Sequence, residues 1–194
     1  MEKGLAWFCK PGRIFMLELC SIRSVTHDDL PMLFSWRNHP DVRRFMFTQH
    51  EISPHEHLNW YAKSCQDPSR RLLIVQEQQI PFGFVQFDHL STGAVCDWGF
   101  YTAPQAPKGS GKKLGYVALN HAFSSLQLHK VCGQAIVSNK ASQGLHQSLG
   151  FQQEGLLRDQ HHVDGIYQSV ICYGLLAHEW HAQSTDKENT HAPH

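Results

Sequence analysis

Apolar and polar positions change period several times along this chain, and each change marks an element. Residues 17–24 (LELCSIRS) read as an opening strand. Thr26-His27-Asp28-Asp29 then supplies a cap for a helix reading LPMLFSWR, which His39-Pro40 ends. A short turn, DVRRFMF, follows, and Ser53-Pro54 opens a second helix through HEHLNWYAKS, with proline in the first turn. Residues 71–76, 81–89 and 94–101 read as three strands joined by short turns. Leu114, Ala118, Ala122 and Leu126 recur at helical spacing. Residues 131–138 alternate as a strand, and 141–149 fit a helix ended by Gly150. Two long strand-like runs, GFQQEGLLRDQHHV and IYQSVICYGLL, flank Asp164-Gly165, a strong hairpin signal. The order predicts one α/β (α+β) domain with a mixed sheet, not a doubly wound one.

Composition narrows the function classes. The 194 residues are 41% hydrophobic, and Lys+Arg and Asp+Glu number 17 each, so no global charge favours nucleic acid or an anionic membrane. The 15 histidines are scattered and read mostly as surface residues. No run of apolar residues reaches membrane-spanning length. Six cysteines lie far apart without a CxxC pair, which predicts free thiols and a reducing cytoplasm. Zinc is not expected: His161-His162 are adjacent on a strand, and His178 and His181 are one residue short of HExxH. Residues 1–16 read as an extension outside the fold, 17–181 as the domain, and 182–194 as a polar, disordered tail.

The segment PKGSGKKLG (107–115) sits where a strand gives way to a helix. Glycines there let successive N–H groups turn toward one point, and the helix start adds its own unpaired N–H groups. Lys108, Lys112 and Lys113 add positive charge. A solvated turn is the plain alternative. A nucleoside-triphosphate loop fails because Ala106 stands where glycine is required and Lys113 where a hydroxyl is. A dinucleotide fingerprint fails because its third glycine position is Leu114.

Three segments in this order resemble the GNAT N-acetyltransferase family: WGFYTAPQAPKGSGKKLG, SNKASQGLHQSLGF, and EGLLRDQHHVDGIYQSVICYGLLAHEW. The resemblance spans residues 17–181. It implies a mixed central sheet flanked by helices, with two splayed central strands and a C-terminal hairpin. It also implies acetyl-CoA as co-substrate and no metal. The pyrophosphate would sit on amides of Gly109, Ser110, Gly111, Lys112 and Lys113, beside Lys108. Backbone near Phe100 and Thr102 would pair with the pantetheine arm and polarise the thioester carbonyl. Asn139 would hydrogen-bond that arm, and Ser142 belongs to the same N-x-x-S-x-x-L pattern; a helix cap is the alternative for Asn139. The position that in many members is a tyrosine, giving its proton to the departing thiolate, is His146 here. Histidine is competent for that step, and a packed helix residue is the alternative.

Residues 36–61 (WRNHPDVRRFMFTQHEISPHEHLNWY) resemble a branch of the family that acetylates UDP-linked amino sugars on the way to pseudaminic acid. That implies a 4-amino-4,6-dideoxy sugar acceptor. Arg37 and His57 would meet the diphosphate, and Met46, Phe47, Trp60 and Trp98 the uracil and sugar. As plain alternatives, Met46, Phe47 and Trp60 are core and Arg37 serves a helix end. The remaining alternatives are a peptide or protein N-terminal acetyltransferase, an N-acetyltransferase for another nucleotide-linked amino sugar, and a non-catalytic acetyl-CoA-binding module. Asp97 and Gln134 lie on the two central strands, and of these only Asp97 has the chemistry of a base. The apolar final hairpin is consistent with a homodimer.

Overall fold

The near-continuous apolar run LLIV at 72–75 belongs to a strand buried on both faces, and the computed structural model shows why. It describes residues 19–90, 94–163 and 165–185. Among these, seven strands form one sheet in the order β1-β2-β3-β4-β5-β7-β6. The strands are β1 (Cys20–Ser24), β2 (Arg71–Glu77), β3 (Ile80–Asp88), β4 (Val95–Thr102), β5 (Lys130–Ile136), β6 (Gln152–Val163) and β7 (Ile166–Leu176). Leu73 and Val75 face one core, and Leu72 and Ile74 face the other, so alternation yields no polar face.

The helices are α1 (Leu30–Asn38), α2 (Pro40–Arg43), α3 (Pro54–Gln66), α4 (Ser110–Asn120), α5 (Lys140–Ser148) and α6 (Ala177–Thr185). One core packs Leu114, Val117, Ala118, Leu149, Phe151 and Trp180 against the sheet; the other packs Leu33, Trp36 and Ile74 with Trp60 and Tyr101. Capping boxes at Thr26/Asp29 and Ser53/Glu56 start the first 3-10 turn and α3.

The mixed-sheet expectation holds: β1 to β4 are antiparallel, β4 and β5 parallel, and β5, β7 and β6 antiparallel. Several details differ. His39-Pro40 starts a short helix, because the His39 side chain accepts from the Asp41 N–H and Pro40 fits the first turn. The helix after the glycine loop becomes a π-helix at His121–Ser125. Residues 17 and 18 of the first expected strand lie outside the described residues, as do 1–16, Asp164 of the hairpin turn and 186–194. The stretch read as a tail begins inside α6, which continues to Thr185. Trp180, fully buried against Tyr116 and Phe123, anchors that helix.

The parallel ladder of β4 and β5 is short. It pairs Val95 with Lys130, Cys96 with Val131 and Asp97 with Cys132, and then stops. Beyond it, β4 stays with β3 and β5 stays with β7, so the sheet splits. A wedge of rings fills one face of the split: Trp98 packs on Phe100 and Phe151, and His146 stacks on Tyr173.

Candidate active site

The split opens into a cavity of about 670 Å³. Its walls are the separated ends of β4 and β5, the first turns of α4 and α5, and Asp41, Val42, Phe45, Met46 and Phe47 of α2 and the loop after it. The fold therefore sends two helix N-termini and two strands' unpaired backbone toward one space.

At one end, Gly109 caps α4 with φ of 97°, a left-handed conformation that favours glycine. Gly109, Gly111 and Lys112 line the cavity. The N–H groups of Ser110, Lys112 and Lys113 already donate to Pro107 and Gly109 carbonyls. Those of Gly109 and Gly111 make no such bond among the described residues, which leaves these two amides open to an acceptor. The Lys113 ammonium turns away to Glu77, Lys108 is exposed outside the lining, and Ser110 is buried as the first helical residue. Lys112 is the cation that remains at this end.

Asn139 does cap α5: its Oδ1 accepts from the Ser142 N–H at 3.0 Å. It also lines the cavity, with Ser142, Phe100, Thr102 and Trp98. His146 does not. It is 1% exposed and lies behind Trp98. Its Nδ1 is 2.8 Å from the Ser142 carbonyl, which can only accept, so Nδ1 carries the proton. Nε2 accepts the Trp98 indole N–H at 3.2 Å. Burial lowers the pKa of the ring, and the carbonyl bond offsets this only in part. A neutral ring with no proton on Nε2 and no access to the cavity lacks the geometry of a thiolate donor.

Across the cavity from the split strands, Met46 and Phe47 line it, and Phe47 meets His161 edge-on at 5.2 Å. Arg37, His57 and Trp60 do not line it. The Arg37 Nη2 donates to the Thr48 carbonyl at 2.5 Å, and burial lowers its pKa. Asn38 holds Ile52 through both a donated and an accepted bond of 2.9 Å. The RNHP signature thus clips the acceptor loop in place, and its arginine faces that loop. His57 is 5% exposed and stacks on Trp60, which packs on Phe84 in the core.

Polar residues that sequence reasoning left unassigned form the remaining wall. Asp97 lines the cavity, and its Oδ2 lies 2.8 Å from the His89 Nδ1. Gln86 donates to Asp88 at 2.8 Å, and Asp88 pairs with Arg70. The signal was present in FVQFD, where polar Gln86 and Asp88 share one strand face. Asp88 stands opposite Asp97. Among the described residues, no three metal-ligating side chains converge, and no helix is long and apolar enough to cross a membrane.

A short parallel ladder that splits between two helix N-termini, with free glycine amides at one, defines a cleft for a phosphorylated, extended acyl carrier. Residues 20–152 match the model of the acetyltransferase (GNAT) domain, and the chain belongs to that family of N-acetyltransferases. The chain is 30% identical over 149 residues to "Acetyltransferase PseH" of Campylobacter jejuni, covering 76% of this chain and 92% of that protein. It is 26% identical over 153 residues to a spermidine N(1)-acetyltransferase of Vibrio cholerae, covering 77% and 88%. The crystal structure of the V. cholerae spermidine N-acetyltransferase with CoA and spermine shares the fold, with a TM-score of 0.78. Its sequence identity is 24%, over 84% of this chain and 98% of that one.

Proposed function

We propose that the chain transfers the acetyl group of acetyl-CoA to the 4-amino group of UDP-4-amino-4,6-dideoxy-N-acetyl-altrosamine, in the cytoplasm, on the way to pseudaminic acid. The observation that carries the reading is the position of Met46 and Phe47, on a clipped loop facing the split strands across the cavity. The resemblance of residues 36–61 to the pseudaminic-acid branch and the identity to PseH proteins support it.

The donor enters with its pyrophosphate on the Gly109 and Gly111 amides, beside Lys112, and its pantetheine between β4 and β5. Asn139, whose Oδ1 is committed to the cap, has its Nδ2 to donate. The acetyl carbonyl accepts from backbone left unpaired past Asp97. The neutral amine attacks the carbonyl carbon, the C–S bond breaks, and the CoA sulfur leaves as thiolate, later protonated by water. The amine's surplus proton passes to the His89 Nε2, with Asp97 holding the Nδ1–H and stabilising the imidazolium. Since Arg37 and His57 do not line the cavity, the diphosphate would draw Arg43 and Arg44, which flank the lining residues Val42 and Phe45 without lining the cavity themselves, away from Glu51 and Asp41.

A second reading, spermidine as acceptor, rests on one observation. The acceptor side carries Asp41, Asp88 and Asp97, while Lys112, at the donor end, is the lysine or arginine that lines the cavity among the described residues. Thiol release from acetyl-CoA with the UDP-amino sugar, spermidine and N-terminal peptides separates these readings. Release with the sugar alone is the expected result; release with spermidine alone overturns the acceptor assignment and keeps the chemistry. Release with none, alongside tight acetyl-CoA binding, makes the chain a regulatory binding module.

The exposed Leu156, Leu157, Ile166 and Tyr167 on the last hairpin support pairing with a second copy. Sedimentation at monomer mass across concentrations ends that part of the proposal.

A further inference from the structure

The ring wedge behind the cavity has a function of its own. We propose that His146 is a positioning residue: by accepting the Trp98 indole N–H it fixes the cavity wall where β4 and β5 part, and it gives no proton to the thiolate. The inference rests on the acetyl-transfer reading of the cavity and not on the identity of the acceptor.

The contacts form a line from helix to strand. The Ser142 carbonyl, in the first turn of α5, accepts from His146 Nδ1. His146 Nε2 accepts from Trp98 on β4, and Trp98 lines the cavity. Asn139 caps that same first turn and also lines the cavity. One imidazole therefore ties the first turn of α5 to β4, at the residue after Asp97, where the pairing of β4 with β5 ends. Gly133 of β5 makes room for the junction: a Cβ there would lie 2.4 Å from His146 Nε2 and 2.7 Å from Trp98 Nε1.

The surroundings keep the ring in one state. Tyr173 of β7 stacks on it at 4.6 Å and 9°, Phe151 and Trp98 meet it edge-on, and Phe100 lies tilted against it. The titratable group facing it is Tyr173, which burial holds neutral. Without its acceptor, the buried indole N–H would have no partner and Trp98 would lose its fixed rotamer. A neutral imidazole donating from Nδ1 and accepting at Nε2 is suited to holding two groups and unsuited to acid catalysis.

The test compares His146→Gln, whose Oε1 can still accept from Trp98, with His146→Phe, which cannot. Turnover is read with whichever acceptor of the panel the wild-type chain uses. The expected result is near-wild-type turnover for His146→Gln and a loss in kcat on the order of 10²-fold for His146→Phe. KM for acetyl-CoA should stay nearly constant in both, and the shape of the pH–rate profile unchanged. The Trp98 indole ¹⁵N–H resonance, assigned with Trp98→Phe, should move upfield in His146→Phe and hold in His146→Gln. Equal loss in both variants with disappearance of a basic limb would establish the acid role and overturn the proposal. An indole resonance that ignores His146→Phe overturns it equally. Should His146→Phe not fold, the wild-type imidazole ¹⁵N spectrum decides: at neutral pH Nδ1 should carry the proton and Nε2 should be unprotonated. A protonated Nε2 at neutral pH refutes the assignment. If every acceptor is silent, the transfer reading has failed, and the two nitrogen spectra still judge the contact.

Discussion

The two ends of the cavity are built in different ways. The end proposed for the donor is lined by backbone: the Gly109 and Gly111 amides, the start of α4 and the unpaired edges of β4 and β5. The end proposed for the acceptor is lined by side chains, with Met46, Phe47, Asp97 and His89 on loops and strand faces. A backbone site tolerates replacement of the side chains around it and fails when the chain path changes. A side-chain site behaves the other way, so acceptor choice can change while the donor stays the same.

The largest effect should come from disturbing the chain path itself. Gly133→Ala places a methyl against His146 and Trp98, and should lower kcat/KM on the order of 10²-fold and destabilise by about 1–3 kcal/mol. Steady-state kinetics with denaturant unfolding measures both. A variant that behaves like wild type would show that the split is not held by this junction. At the acceptor end, Asp97→Asn should cut kcat about 10²-fold near neutral pH while CoA affinity by calorimetry holds. Phe47→Ala should raise KM for the acceptor by about tenfold, a loss of about 1.4 kcal/mol, again without change in CoA affinity. If either variant weakens CoA binding, the two ends are not independent.

Smaller still is the contrast between neighbouring lysines. Lys112→Ala should weaken CoA binding a few-fold and in a salt-dependent way, whereas Lys113→Ala should not, because its ammonium serves Glu77.

Remote from both ends, Arg23 grips Asp29 through two bonds of 2.7 Å and holds its carboxyl at about 2. The folded value is depressed, so this stability is present above about pH 4 and lost as pH falls toward 2. The contribution is about 1–2 kcal/mol once screening at the half-exposed Arg23 is allowed for. Buried His57 and His146 and half-buried His121, each depressed by desolvation, start an earlier decline. The unfolded chain binds their protons first, so stability falls as pH drops below about 6.5. Thermal melts from neutral pH downward should therefore show a first loss in mild acid and a second near pH 3. Asp29→Asn should shrink the second and leave the first, the rest of the second belonging to Glu56 and Asp67, whose carboxyls are also held low.

The contrast between the ends also sets what the sequence can reveal. PKGSGKKLG and the N-x-x-S turn are local: their glycines and cap act where they stand, so donor chemistry was readable. The acceptor wall depends on which face of each element turns inward, and a spacing argument could not separate Met46, which lines the cavity, from Trp60, which packs in the core. Arg37 misled because a cation in a signature suggests an anion, whereas its partner is the Thr48 carbonyl. The histidine that replaces the family's tyrosine was visible as a letter; that its Nε2 is occupied by Trp98 is a long-range contact between residues 48 positions apart.

The order of the strands also bears on how the enzyme is made. One wall of the cavity is β5, which shares three residue pairs with β4 and runs its whole length along β7. β7 is the last strand among the described residues, ending at Leu176, beyond the residues matched by the family model. On a ribosome, the glycine loop and both split strands emerge well before the strand that steadies one of them. A nascent chain has its phosphate cradle early and its catalytic cleft only at the end, so truncation anywhere before residue 176 yields a protein with a donor loop and no workplace for it.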